Sequence, residues 1–159
     1  MKKGAEMFQP AIKKDPTYAA AYAGLADCAN SAGFWGFAPP PEGCGKAKAA
    51  AQKALEIDDT AEAHAALGWA ILHYDFDHLA AEREFWRAIA LDCRYATAHQ
   101  WYGHCLAYMG RSEEAIAETG RALELDPLSL IIHASHGGAF LVGAQLGSGH
   151  SAGTPGVGT

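Results

Sequence analysis

The chain has no apolar run near the roughly 20 residues that a helical membrane span requires. It has no excess of positive charge either. With 12 Lys and Arg against 18 Asp and Glu, its formal net charge is −6. That balance repels a phosphate backbone and argues against nucleic-acid binding by this segment. Lys2 and Lys3 look like the start of an export signal, but Gly4 to Asp15 holds no apolar core, so no signal peptide is read. The four cysteines, at 28, 44, 93 and 105, show neither C-x-x-C pairing nor metal-finger spacing. A reducing, cytoplasmic setting is therefore expected. Catalytic motifs are missing as well. There is no G-x-S-x-G elbow and no H-E-x-x-H. The stretch GSGHSAGTPG follows a helical segment rather than preceding one, and it lacks the lysine of a phosphate-binding loop. The chain is expected to be no enzyme and to need no cofactor. No window sustains strand alternation, so the fold class reads as all-α.

What the sequence does have is an internal repeat. FWRAIALDCRYATAHQWYG realigns on TGRALELDPLSLIIHASHG. Ala81 and Ala115 are 34 residues apart, as are Ala88 and Ala122, and Gly103 and Gly137. Gly68 and Gly103 are 35 apart, and the phase carries back through Ala54 and Ala47 to Ala11. Each period holds two stretches of helical periodicity. One pair is Ala61 to Tyr74 and His78 to Asp92, the next Ala96 to Met109 and Glu113 to Leu125. Gly110 ends one helix, Ser112 is placed to cap the next, and Glu113 and Glu114 suit its positive end. Pro16 and Pro127, each after an Asp, mark crossings between units. Small residues at Ala26, Gly68, Gly103 and Gly137, and at Ala47, Ala81 and Ala115, predict close helix approach. Leu67, Phe85 and Tyr102 fill the space beside them.

These residues resemble the tetratricopeptide repeat, whose pattern W-x2-L-G-x2-Y…A-x3-F…A…P appears here in three successive forms. One unit reads Tyr22, Leu25, Ala26, Ala29, Ala47, Ala51, Ala54 and Asp59. The next reads His64, Leu67, Gly68, Ile71, Ala81, Phe85, Ala88 and Cys93. The third reads His99, Tyr102, Gly103, Leu106, Ala115, Thr119, Ala122 and Pro127. Histidine replaces the tryptophan of the pattern at 64, 99 and 133, and closing prolines are absent at 59 and 93. The resemblance implies a right-handed α-α superhelix of about three repeats with a half repeat at each end. Its expected limits are a half repeat over 3–16, repeats over about 19–60, 61–95 and 96–129, and a half repeat over 130–143. Residues 144–159 read as a flexible Gly/Ser/Thr-rich tail, since residues 137–159 hold 8 of the 18 glycines. Both ends are cut inside a unit, and LIIHASHGGAFLV is no polar cap. The chain therefore reads as a fragment of a longer array, open to self-association through uncapped ends.

The resemblance further implies a concave groove, lined by the first helix of each unit, that takes a peptide or partner protein. On the stripe that does not pack within the hairpin stand Asp27 and Asn30, then Glu62, Trp69 and His73, then Gln100, His104 and Tyr108. None of the four first helices (19–32, 61–74, 96–109, 130–143) contains Lys or Arg. The family's best-known mode clamps a C-terminal carboxylate with such residues, so binding of acidic chaperone tails is disfavoured. Eight histidines invite a metal proposal. Equivalent slots in successive units lie about 10 Å apart by helix packing distances, too far for one shared ion, and packed histidine is the expectation. The insertion GFWGFAPPPEGCG (33–45) is expected to fold Phe34, Trp35 and Phe37 back on the first hairpin, with its prolines stiffening the exit. Cys28 and Cys105 share a slot and read as small core residues. The reading is a protein-interaction scaffold. The alternative is the C-terminal regulatory segment of a bacterial transcriptional regulator, nucleotide cyclase or Ser/Thr kinase, suggested by DPTYAAAYAGLAD and YATAHQWYG.

Overall fold

The computed structural model of the chain describes residues 2–34 and 40–149. Helices follow one another as α1 (Lys2–Lys14), α2 (Ala19–Phe34), α3 (Pro40–Ile57), α4 (Ala61–Ala70), α5 (His78–Leu91), α6 (Ala96–Tyr108), α7 (Ser112–Leu125) and α8 (Leu130–Gly149). No strand occurs among the described residues. Each helix packs on the next in the chain, and α2, α4, α6 and α8 also touch one another in series. The hairpins α2–α3, α4–α5 and α6–α7 thus stack into the expected right-handed α-α superhelix, with first helices on the inner wall.

The small residues do what their spacing predicts. Ala26, Ala47, Ala81, Ala88, Ala115 and Ala122 are fully buried, and Phe85, Leu106 and Cys105 fill the core between them. A Cβ on Gly68 would stand 2.9 Å from Phe85 Cε1, and one on Gly103 would stand 2.5 Å from Thr119 Cγ2. Both helix pairs are therefore held at a separation that only glycine allows. Among the described residues a Cβ on Gly137 would meet nothing within 4 Å, so none of them fills the third slot that the sequence presents.

Turns reuse local chemistry. The carboxylates of Asp15 and Asp92 each accept the backbone N–H two residues on, at 2.9 Å, which bends the chain between units. Asp77 caps α5 by accepting from Ala80 N at 2.9 Å.

Several expectations need correction. The helix begun at Ala61 does not run regularly to Tyr74: it widens into a π-type turn over Ile71–Asp75, and Phe76 then takes the left-handed conformation at φ 55°. Ser112 is the first residue of α7 rather than its cap. Arg111 stands at the cap position without a side-chain bond to the helix N–H groups, and Ser112 Oγ is buried without a partner. Pro40 and Pro41 do not form a stiff exit: they open α3, where a missing N–H is harmless. Helix α8 continues to Gly149, six residues beyond the expected boundary at Gly143, because Ala144, Gln145 and Leu146 favour helix. The rest of the expected tail, 150–159, lies outside the described residues, as do Trp35, Phe37 and the side chains of Phe34 and Cys44.

Candidate binding groove

The inner wall encloses a cleft of about 1050 Å³. Its floor is α6, through Ala96, Thr97, Gln100, His104 and Tyr108, and its far side is α8, through Leu130, Ile131, Ala134, Ser135 and Gly138. Asp27 of α2 and Trp69 of α4 reach it from the other direction. Of the eight residues expected from sequence, the structure brings five to this cleft: Asp27, Trp69, Gln100, His104 and Tyr108. No Lys or Arg is among its lining residues.

The remaining three divide by what they touch. Asn30 is no groove residue: it is 1% exposed, and its amide donates to Ala66 O at 2.9 Å. A polar side chain in an alanine-rich interface needs such a bond, so Asn30 joins α2 to α4. Glu62 is exposed beside the cleft and perturbs Asp27 electrostatically. His73 does not line the cleft, and its ring is tilted on Trp69 with centroids 4.2 Å apart.

Aromatic rings continue along the wall. Trp69 stacks on Trp101 at 4.9 Å and meets His104 edge-on at 5.5 Å, and His73 meets Tyr108 edge-on at 5.9 Å. Such offset and edge contacts fix ring positions before any partner arrives. Trp69 is consequently 5% exposed, while Tyr108 remains 57% exposed and available. Gln100 donates to Ser135 Oγ at 2.8 Å, and His104 Nε2 lies 3.0 Å from the same hydroxyl. These bonds tie the floor to α8.

Charge in the cleft is unusual. Burial pushes the Asp27 carboxyl up to about 7, with Glu62 repulsion adding to it. Asp27 Oδ1 is buried and without a hydrogen-bond partner. Burial also pushes His104 down to about 4, helped by neighbouring His73, and His73 is itself lowered by burial. At neutral pH the imidazoles are uncharged and Asp27 is poised between forms.

The histidines of the repeat slot do other work, which sequence reasoning missed. His64 Nδ1 faces Glu84 at 2.6 Å and its Nε2 faces Asp59 at 2.7 Å. His99 Nδ1 faces Glu118 at 2.7 Å and its Nε2 faces Cys93 O at 3.1 Å. Each ring therefore clasps the first helix of a hairpin to the second. All four partner atoms are acceptors, so the doubly protonated ring satisfies both sides, and a neutral ring leaves one lone pair against an acceptor. The side-chain bond to Glu84 raises His64, and that to Glu118 raises His99. The 34-residue spacing of Glu84 and Glu118 carried this signal. Among the described residues no three His, Cys, Asp or Glu side chains are grouped to hold a metal ion. No helix among them is long and apolar enough to cross a membrane.

No family model matches the chain, and no curated protein matches it in sequence. Solved structures do match. The thermophilic TPR protein TTC0263 from Thermus thermophilus superposes with a TM-score of 0.69 at 20% identity, over 86% of this chain and 71% of that one. YrrB, a TPR protein with an unusual peptide-binding site, gives 0.54 at 21% identity, over 88% and 68%. The first TPR of Spaghetti (RPAP3), bound to the HSP90 peptide SRMEEVD, gives 0.59 at 20% identity, over 75% and 95%. The chain has the tetratricopeptide-repeat fold.

Proposed function

We propose that the chain is a non-catalytic interaction scaffold that takes a segment of a partner protein in the cleft between α6 and α8. The observation that carries this reading is the cleft's composition: pre-stacked aromatic rings, an exposed Tyr108, an unpartnered Asp27 oxygen and no cation. Rigid rings at a concave surface, with a few polar groups for orientation, are what a partner-binding site requires. The fold supports it too, since YrrB is described as having a peptide-binding site and the RPAP3 repeat as bound to an HSP90 peptide. An acidic tail such as SRMEEVD suits this cleft poorly, because Asp27 and Asp126 line it and Glu62 lies beside it. Neutral or basic segments with an aromatic or branched anchor suit it better.

The test is selection from a random peptide library with the 159-residue chain as bait. Enriched sequences should be depleted in Asp and Glu. Binding should fall at least tenfold in Tyr108→Ala and His104→Ala, and persist in Trp86→Ala, which lies on α5 away from the cleft. Enrichment of acidic C-termini, or binding indifferent to Tyr108 and His104, would overturn the reading. A second reading, in which the array is the regulatory portion of a bacterial multidomain regulator in the cytoplasm, rests on the wording of residues 15–27 and 95–103. The same cleft would then receive the partner that sets the output.

A further inference from the structure

Helix α2 meets α4 through a seam rich in alanine: Ala23 shares one buried cluster with Ala63, and Ala26 shares another with Ala66. Methyl groups offer no hydrogen bond, so a polar side chain at this seam must find its partner elsewhere. Two polar side chains of α2 stand there, three residues apart. The Asn30 amide donates to Ala66 O at 2.9 Å and pins α2 on α4, but its Oδ1 is buried and receives no donor among the described residues. Asp27 Oδ1 is in the same condition, and Asp27, unlike Asn30, lines the cleft.

Elsewhere the chain provides for the carboxylates that it draws inward. Glu82, half-buried on α5, accepts from Arg111 at 2.6 Å and from the Tyr102 hydroxyl at 2.8 Å. Glu84 and Glu118, also half-buried, face His64 and His99 at 2.6 and 2.7 Å. Asp27 breaks this pattern. The charge acting on it is a second carboxylate, Glu62 of α4. Burial, and then the charges of Asp27 and Glu62, hold the Tyr95 phenol just before α6 above its ordinary value, so negative potential from two helices converges at this wall of the cleft.

We infer that the partner segment carries a lysine or arginine whose cationic head pairs with Asp27, drawn in by Glu62 beside the cleft. That pairing presupposes the partner-binding reading of the cleft and adds to it the one side chain that the segment must carry. An ammonium or guanidinium brings several N–H donors together with a positive charge, and no lining residue supplies such a group, since none is Lys or Arg. A long aliphatic stem delivers the head to a half-buried carboxyl that a backbone cannot reach. The terminal torsion of aspartate is broad, so the carboxyl can turn its unpaired oxygen toward an entering donor.

Asp126 provides the internal contrast. It lines the same cleft but is exposed, so water already solvates it and a cation there gains little. Asp27 is half-buried, and a charge pair formed away from water is both stronger and more selective.

A random peptide library selected on the 159-residue chain, with Asp27→Asn and Asp126→Asn as parallel baits, tests the pairing. Wild-type binders that need Tyr108 should carry Lys or Arg at one fixed position. Asp27→Asn should bind them roughly tenfold or more weakly and select no basic residue there, whereas Asp126→Asn should change affinity about twofold or less. Replacing that Lys or Arg by Gln in the peptide leaves the protein untouched. It should cost the wild type roughly tenfold and Asp27→Asn about twofold or less. The Tm of Asp27→Asn should not fall, since no bond within the chain is lost. Failure to select any Tyr108-dependent binder overturns the reading of the cleft and the pairing with it. Tyr108-dependent binders without a fixed basic position, equal binding by Asp27→Asn, or a lowered Tm in that variant overturn the pairing alone.

Discussion

Hairpins α4–α5 and α6–α7 have one geometry and two chemistries. Over Gly68 lies the ring of Phe85, fully buried and apolar; over Gly103 lies Thr119, a smaller side chain with a hydroxyl. Thr119 Oγ1 bonds Ala115 O at 2.8 Å and lies 2.8 Å from His136 Nδ1, so the residue filling this slot also makes polar contacts, one of them to α8, where Phe85 fills its slot by volume alone. A network of Glu82, Tyr102, Trp86 and Arg111 joins the two hairpins, with the Tyr102 hydroxyl donating to Glu82 at 2.8 Å and accepting from Trp86 at the same distance. The repeat therefore conserves a separation between helices and leaves open how the space is filled. The comparison breaks most sharply at Phe85. Phe85→Ala should lose about 3–5 kcal/mol, since the glycine slot cannot collapse further. Thr119→Ala removes less volume and should lose about 1–2 kcal/mol, mostly by unpairing buried bonds. Chemical denaturation of both variants measures the contrast, and equal losses would show that volume is not what holds α4–α5.

Filling the glycine slots is the next test. Gly103→Leu should lose about 1–3 kcal/mol, because its first atom already meets Thr119 Cγ2 at 2.5 Å and Ala115 O at 3.1 Å. Ala88→Leu, in a fully buried position, should lose a similar amount. Gly137→Leu should be near neutral, since nothing among the described residues lies within 4 Å of the added Cβ. An unchanged melting temperature for the first two would refute the assigned repeat phase.

These slots were legible in sequence because they are a matter of side-chain size at a fixed interval, and interval survives in a one-dimensional text. The stacking of first helices into an inner wall followed from the same interval, and five of the eight residues expected on that wall line the cleft. Asn30 was misjudged because helical spacing places it near the inner stripe, while its burial depends on how far α4 leans over α2. The clasps were missed for a related reason: His64 and Glu84 are 20 residues apart, and their meeting depends on the turn between α4 and α5. That turn contains the π-type widening at Ile71–Asp75, which no local residue pattern announced.

The two clasps differ in the second partner, and pH exposes the difference. His64 is bracketed by two carboxylates, His99 by one carboxylate and one carbonyl. Both rings are raised above 6.5 in the folded chain. Their contribution is fully present below pH 6.5 and is lost as pH rises through the raised folded values. Stability should therefore fall on going from about pH 6 to about pH 8, by about 1 kcal/mol or less for each clasp. His64→Gln and His99→Gln should each flatten that slope, with the larger change at His64. A slope unchanged in both variants would show that the clasps contribute nothing to stability.

The smallest effect concerns the two left-handed turns. Gly110 has φ 76° and Phe76 has φ 55° at corresponding exits from a first helix. Glycine takes this conformation without strain, whereas a side chain there costs roughly 1–2 kcal/mol. Phe76 is 73% exposed, so its ring returns little of that through burial. Replacing it with glycine relieves the strain but adds unfolded-state freedom worth about 0.5–1 kcal/mol. Phe76→Gly should thus stabilise by only about 0.5 kcal/mol. Gly110→Ala should destabilise by about 1 kcal/mol through backbone strain alone, since nothing lies within 4 Å of the added Cβ. If Phe76→Gly is instead destabilising, the ring holds the π-type turn in place, and the irregular exit from α4 is maintained by a contact rather than tolerated as a strain.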